Sequence, residues 1–175
     1  MNHTDSIQYT IEAMQPTDWN QVRAIYQQGI QTGDATFETD LSSWENWDAG
    51  HLPACRLVAR VGEKIIGWAA LSAVSNRDCY AGVAEISIYV SSGHRGSGVG
   101  KQLLKKLIDC SERHGFWTLQ ATILAENLAS INLHLGSGFR LVGRRERIGK
   151  LNGIWRDTVL LERRSPRVGT STTDQ

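Results

Sequence analysis

Cysteine is scarce in this sequence, and none of it is paired by spacing. The three that occur, Cys55, Cys79 and Cys110, lie far apart, with no CxxC motif and no zinc-ligand interval. Such a set excludes a small disulfide-stapled scaffold and suits a reducing compartment such as the cytoplasm. The five histidines show no HExxH pattern, so no metal is expected. Charge of one sign is not in excess either: the formal net charge is +1, which argues against a nucleic-acid partner. No apolar run approaches the roughly 20 residues needed to cross a bilayer, so no membrane partner is expected. The opening "MNHTDSIQYTIEAM" has no basic patch followed by an apolar block, and no secretory signal is expected in it.

What is present fits one folded domain. The 175 residues are 41% hydrophobic, enough for a core of ordinary size. Residues 1–164 read as a single domain, and the polar, aperiodic "SPRVGTSTTDQ" of residues 165–175 as a flexible tail. "IQYTIEAM" alternates as a strand does. "TDWNQVRAIYQQGI" places Trp19, Val22, Ile25 and Tyr26 on one helical face, with Thr17 or Asp18 as cap. "DLSSWENWDAGH" predicts a short helix starting near Asp40 or Ser42. "RLVARV", "GEK" and "IIGWAALSAV" form a hairpin signal. "GVAEISIYV" is a strand rich in β-branched residues, followed by a helix over "VGKQLLKKLIDCSERHGF" that ends near Gly115. A strand "WTLQATIL", a short helix from Asn127 and two closing strands complete the order β-α-α-β-β-β-α-β-α-β-β. That order predicts an α/β fold with a mixed sheet.

Chemistry concentrates in "GHRGSGVGK", Gly93 to Lys101, at a strand-to-helix junction. The first amides of a helix have no internal partners, the helix dipole favours anions there, and glycine lets a phosphate approach the backbone. Two phosphate loops fail by letter. A P-loop needs glycine at 95 and a hydroxyl at 102, where the chain has Arg95 and Gln102. A dinucleotide fingerprint starting at Gly96 needs glycine at 101, where Lys101 stands. The pattern that fits is Arg-x-x-Gly-x-Gly, made by Arg95, Gly98 and Gly100.

That pattern resembles the pyrophosphate loop of the GNAT superfamily, the acetyl-CoA-dependent N-acetyltransferases. The context agrees: "AEISIYVSSGHRGSGVGKQLL" resembles the family's strand, loop and helix, and "ILAENLASINLHLGSGFRLVG" its following strand and helix. "GDATFE", "NRDCYAGVAE" and "GKLNGIWRDTVLLE" are similar to one branch, the phosphinothricin and methionine sulfoximine acetyltransferases. The likeness runs over about residues 7 to 163.

The resemblance implies a mostly antiparallel sheet flanked by helices, with a splayed central strand pair that holds acetyl-CoA as co-substrate. It implies that the backbone of Ile88, Tyr89 and Val90 pairs with the pantetheine arm. Arg95, Gly96, Ser97, Gly98, Val99, Gly100 and Lys101 would hold the pyrophosphate, and Asn127 and Ser130 the cofactor's other side. It makes Glu85 the general base for the attacking amine, with a salt-bridged strand residue as the plain alternative. His134 stands where many members carry a tyrosine acid, and a packed, satisfied histidine is its plain alternative. Phe37, Glu38, Arg77, Tyr80, Glu85 and Ser87 correspond to substrate-contacting positions, with Arg77 suited to a carboxylate. The implied activity is acetyl transfer, by direct attack, to the α-amine of a small amino acid or analogue such as methionine sulfoximine, methionine sulfone or phosphinothricin. A homodimer goes with the branch. Two alternatives stay open: an acetyltransferase of a protein N-terminus or lysine, and a CoA-binding sensor without catalysis.

Overall fold

The computed structural model describes residues 8–170. The Ile7 end of the first expected strand, and residues 171–175 of the expected tail, lie outside the described residues. The elements follow the expected order: β1 (Thr10–Ala13), α1 (Trp19–Thr32), α2 (Trp44–Gly50), β2 (Leu57–Val61), β3 (Lys64–Ala73), β4 (Val83–Val90), α3 (Val99–Arg113), β5 (Thr118–Leu124), α4 (Leu128–Leu135), β6 (Arg140–Leu151) and β7 (Ile154–Arg164). They form one sheet in the order β1-β2-β3-β4-β5-β7-β6, in which β4–β5 is parallel and every other pair antiparallel.

Period-two alternation, shifted once by the bulge where Ala59 pairs with Gly67 and Arg60 with Ile65, decides which side chains meet which helices. On one face Ile66, Leu71, Leu119 and Leu161 pack with Leu103, Leu104 and Leu107 of α3. On the other, Val58, Ile65, Trp68 and Ala70 pack with Val22 and Ile25 of α1 and Trp47 of α2. Trp47 and Trp68 are almost fully buried, so their role is packing. Helix α2 starts one residue later than expected: Ser43 is the cap, and its side chain accepts from the Asn46 amide.

The parallel pair is the exception that shapes the molecule. β4 and β5 pair only through Val83–Thr118, Ala84–Leu119 and Glu85–Gln120. Beyond that point β4 runs on to Val90 and β5 to Leu124 without pairing to each other. This is the splayed central pair, and it leaves one backbone edge of Ile86–Val90 free.

Two expectations change. Cys55 and Cys110 are far apart in sequence but joined as a disulfide, while Cys79 is free and exposed. Folding brings the end of α3 against the turn before β2, a proximity that spacing cannot reveal. The pairing removes the argument for a reducing compartment drawn from sparse cysteines. Within the expected tail, residues 165–168 are held against the domain. Ser165 is buried, its hydroxyl meets Glu112 at 3.0 Å and accepts from the amides of Arg167 and Val168, and Arg164 donates to the Val168 carbonyl.

Candidate active site

Where β4 and β5 part, a cavity of about 830 Å³ opens. Its walls come from β4, β5, the Gly93–Lys101 loop, α4, and residues 34–38 after α1.

The loop end is made of backbone. Gly96 and Gly98 have φ of 75° and 87°, the left-handed region that only glycine enters without strain. Gly98 is the N-cap of α3, and no side chain caps the helix. The first amides of this 15-residue helix are therefore open to an anion. The loop is braced internally: Ser91 Oγ meets His94 Nδ1 at 2.8 Å, Ser97 Oγ donates to the His94 carbonyl at 2.5 Å, and Arg95 Nε donates to the Val90 carbonyl at 3.3 Å. Arg95, Gly96, Gly100 and Lys101 line the cavity, and Val99 is buried beneath it. These donors fit a pyrophosphate. Asn127 Oδ1 accepts from the Ser130 amide at 3.1 Å, which caps α4, and both residues also line the cavity.

The other end is made of side chains. Glu85, Ser87 and Tyr89 alternate toward the α1 face, and all line the cavity. Glu85 Oε2 accepts a 2.7 Å hydrogen bond from Gln120 Nε2, its partner across the parallel register. Burial raises the Tyr89 phenol, and the charges of Tyr26 and Glu38 act the same way against the Thr36 hydroxyl. Tyr89 therefore stays neutral and can donate.

His134 is buried in the cavity wall. Its Nδ1 lies 2.8 Å from the Ser130 carbonyl, which only accepts, so Nδ1 carries the proton. Burial pushes its pKa down, and the Ser130 carbonyl only partly opposes this. The neutral ring thus presents a bare Nε2, which can donate only after protonation. Among the described residues that Nε2 and the Thr158 hydroxyl are buried without a partner, and both residues line the cavity. Orphaned buried polar atoms cost on the order of 1–3 kcal/mol each. A polar ligand in the cavity would relieve that cost.

Phe37 and Glu38 also line the cavity. The Phe37 ring rests on Gly149 of β6, where a β-carbon would lie 2.9 Å from the ring. Arg77 and Tyr80 are not brought to the cavity. They flank a short turn, are exposed, and stack with the guanidinium 5.6 Å from the ring centre. Trp155 is exposed on β7 beneath Lys150, again outside the cavity. Thr122 and Thr158 line the cavity and Gln120 holds Glu85 in it, and none of the three is singled out by sequence. The alternation of "TLQATIL" gives only a face, since Leu119, Ala121 and Ile123 face the core and leave Gln120 and Thr122 on the opposite face.

Comparison with known proteins gives the same direction. The acetyltransferase (GNAT) family matches residues 19–139. Phosphinothricin N-acetyltransferase of Alcaligenes faecalis is 33% identical over 163 residues, covering 88% of this chain and 81% of that protein. L-methionine sulfoximine/L-methionine sulfone acetyltransferase of Salmonella typhimurium is 32% identical over 106 residues, covering 61% of this chain and 62% of that protein. The match thus spans about three fifths of the length of that relative. Among solved structures, a GNAT superfamily phosphinothricin acetyltransferase from Sinorhizobium meliloti in complex with AcCoA superposes with a TM-score of 0.84 at 30% identity. It covers 95% of this chain and 94% of that one. Among the described residues no helix is long and apolar enough to cross a membrane.

Proposed function

The chain belongs to the acetyltransferase (GNAT) family, an acyltransferase with acetyl-CoA as co-substrate, and from that premise we propose that it acetylates the α-amine of a small amino acid or analogue, of the methionine sulfoximine, methionine sulfone or phosphinothricin type. One observation carries the reading. β4 and β5 part just beyond Glu85, so a carboxylate stands at one end of a cleft whose other end is an uncapped helix N-terminus.

Acetyl-CoA supplies an activated thioester carbonyl. The free edge of Ile88, Tyr89 and Val90 binds its pantetheine arm, and Arg95 with the amides of Gly96 to Lys101 binds its pyrophosphate. Asn127 and Ser130 border the arm from α4. The amine arrives as an ammonium, with a pKa of about 10 as for lysine. Glu85 takes that first proton, directly or through a water, while Gln120 holds the carboxylate in place. The nitrogen then forms its bond to the carbonyl carbon, and the carbon–sulfur bond breaks. The nitrogen loses a second proton, which the bare Nε2 of His134 accepts and returns to the departing sulfur. Phe37, Glu38 and Ser87 surround the amine. A homodimer belongs to the same proposal, supported by the exposed apolar side chains of Leu141, Val142, Ile148, Ile154 and Trp155 on the β6–β7 hairpin.

Steady-state thiol release with a panel of amino acids tests the reading. Turnover with at least one of methionine sulfoximine, methionine sulfone and phosphinothricin is expected. Tight acetyl-CoA binding without turnover on any amine would instead identify a sensor. Turnover on peptides alone would identify a protein acetyltransferase.

A further inference from the structure

An α-amino acid substrate brings a carboxylate as well as an amine, and the cavity must answer its charge. Arg77, the cation suited to it by sequence, is stacked on Tyr80 outside the cavity. Arg95 and Lys101 belong to the loop end, and His134 is held neutral. We propose that Arg145 on β6, together with Thr122 on β5, forms the subsite for the substrate carboxylate. This rests on the proposed amino-acid acetyltransferase reading and adds to it the group that selects acids over other amines.

The sheet register carries the argument. Directly paired residues on neighbouring strands project to the same face. Glu85 and Gln120 are such a pair, and their hydrogen bond places both on the cavity side. Gln120 and Thr122 are two apart on β5 and share that face, and Thr122 lines the cavity. Gln120 pairs with Glu162, Thr122 with Leu160, and Leu124 with Thr158 on β7. Thr158 in turn pairs with Arg145 on β6. Arg145 therefore stands on the face that carries Glu85; it lies outside the lining itself but is tied to it, its Nη2 donating to Thr122 Oγ1 at 3.4 Å. Thr122 is about 7 Å along β5 from the residue that holds Glu85. An amino acid with its amine at Glu85 can reach a guanidinium over Thr122.

Charge and contact together favour the same residue: Arg147 has no ion-pair partner among the described residues either, but on β6 only Arg145 bonds to a side chain that lines the cavity. Around it, Arg140 is paired with Glu162, Arg144 with Asp157 and Arg156 with Glu126. Among the described residues Arg145 has no carboxylate at ion-pair distance, and its side chain has only the long bond to Thr122. Most of its five-donor fork is thus open for bidentate binding of a carboxylate. Arg145 is exposed, so replacing it leaves the core untouched.

The experiment compares three substrates of one skeleton: the amino acid that wild type turns over best, its carboxamide, and its decarboxylated amine. Arg145→Met should raise the KM for the amino acid by about 10- to 100-fold, the range for a lost charge-assisted hydrogen-bond pair. It should change the KM for the amide and the amine by less than about twofold, and leave the KM for acetyl-CoA unchanged. Arg145→Lys should recover part of the loss, and Thr122→Val should raise the amino-acid KM a few-fold. If Arg145→Met leaves the amino-acid KM unchanged, or weakens all three substrates equally, the subsite is wrong while the enzyme reading stands. If wild type turns over no amino acid at all, the amino-acid acetyltransferase reading fails and the subsite falls with it.

Discussion

The two ends of the cavity are built in opposite ways. The loop end is a contiguous stretch, from the end of β4 into α3, and it presents backbone amides. The other end, proposed for the amine, is assembled from side chains of β4, β5, β7 and the segment after α1, which lie far apart in the chain. A backbone site depends on conformation, so it tolerates change in side chains but not in glycine. A side-chain site depends on register, so single residues carry it. The first end should therefore break by altered backbone, the second by altered chemistry.

The largest expected effect falls on the amine end. Glu85→Gln keeps shape and the capacity to pair with Gln120 but cannot take a proton. Turnover should fall by about 100-fold or more, with the KM for acetyl-CoA unchanged, as initial-rate kinetics would show. An unchanged rate across pH would remove Glu85 from the reaction. The next falls on the loop end. Gly98→Val forces a β-branched residue into the left-handed region, at a cost of at least 1–2 kcal/mol. The KM for acetyl-CoA should rise by about tenfold or more while the amine KM stays put. If both rise together, the two ends are not separable in the way described.

A smaller effect is expected from Gln120→Leu, which removes the bond to Glu85 without touching the cleft backbone. A hydrogen bond to a charged group is worth about 1.5–3 kcal/mol, part of which water at the open cleft replaces, so kcat should drop by roughly fivefold. Denaturation midpoints measured alongside distinguish this from a loss of fold. The smallest effect concerns pH. Burial depresses the pKa values of His134 and His51 below the ordinary histidine value. The unfolded chain then binds protons more readily than the folded one, so stability is lost as pH falls below about 6.5. Urea unfolding at pH 7.5 and 5.5 should show this, and His134→Gln should reduce the difference. A difference unchanged by that replacement would place the effect elsewhere.

The same contrast explains what could be read from the sequence. Every element existed in the pattern, because "AEISIYV", "VGKQLLKKLIDC" and their neighbours carry unmixed periods of two or 3.6. At the loop end the local pattern leads to Arg95, Gly96, Gly100 and Lys101, which line the cavity, while Ser97 and Gly98 shape the loop without lining it. At the amine end Glu85, Ser87, Phe37 and Glu38 line the cavity as expected. Gln120 was not legible as a partner of Glu85, because that needs the parallel register. Arg145 sat in what looks like a solvated edge run, "GRRERIGK". Arg77 and Tyr80 read as pocket residues, but a short turn carries them onto each other and away from the cavity. Cys55 and Cys110 meet only because α3 lies across the sheet.

That last contact has a mechanical consequence. The bond between Cys55 and Cys110, with a sequence separation of 55, closes a covalent ring that contains β2, β3, β4 and nearly all of α3. Pulled by its two ends, an oxidised molecule can lengthen only through the chain outside the ring. The ring withholds on the order of 180–200 Å of contour at roughly 3.3–3.6 Å per residue. In an optical trap, adding a reductant should release that hidden length in a single additional step.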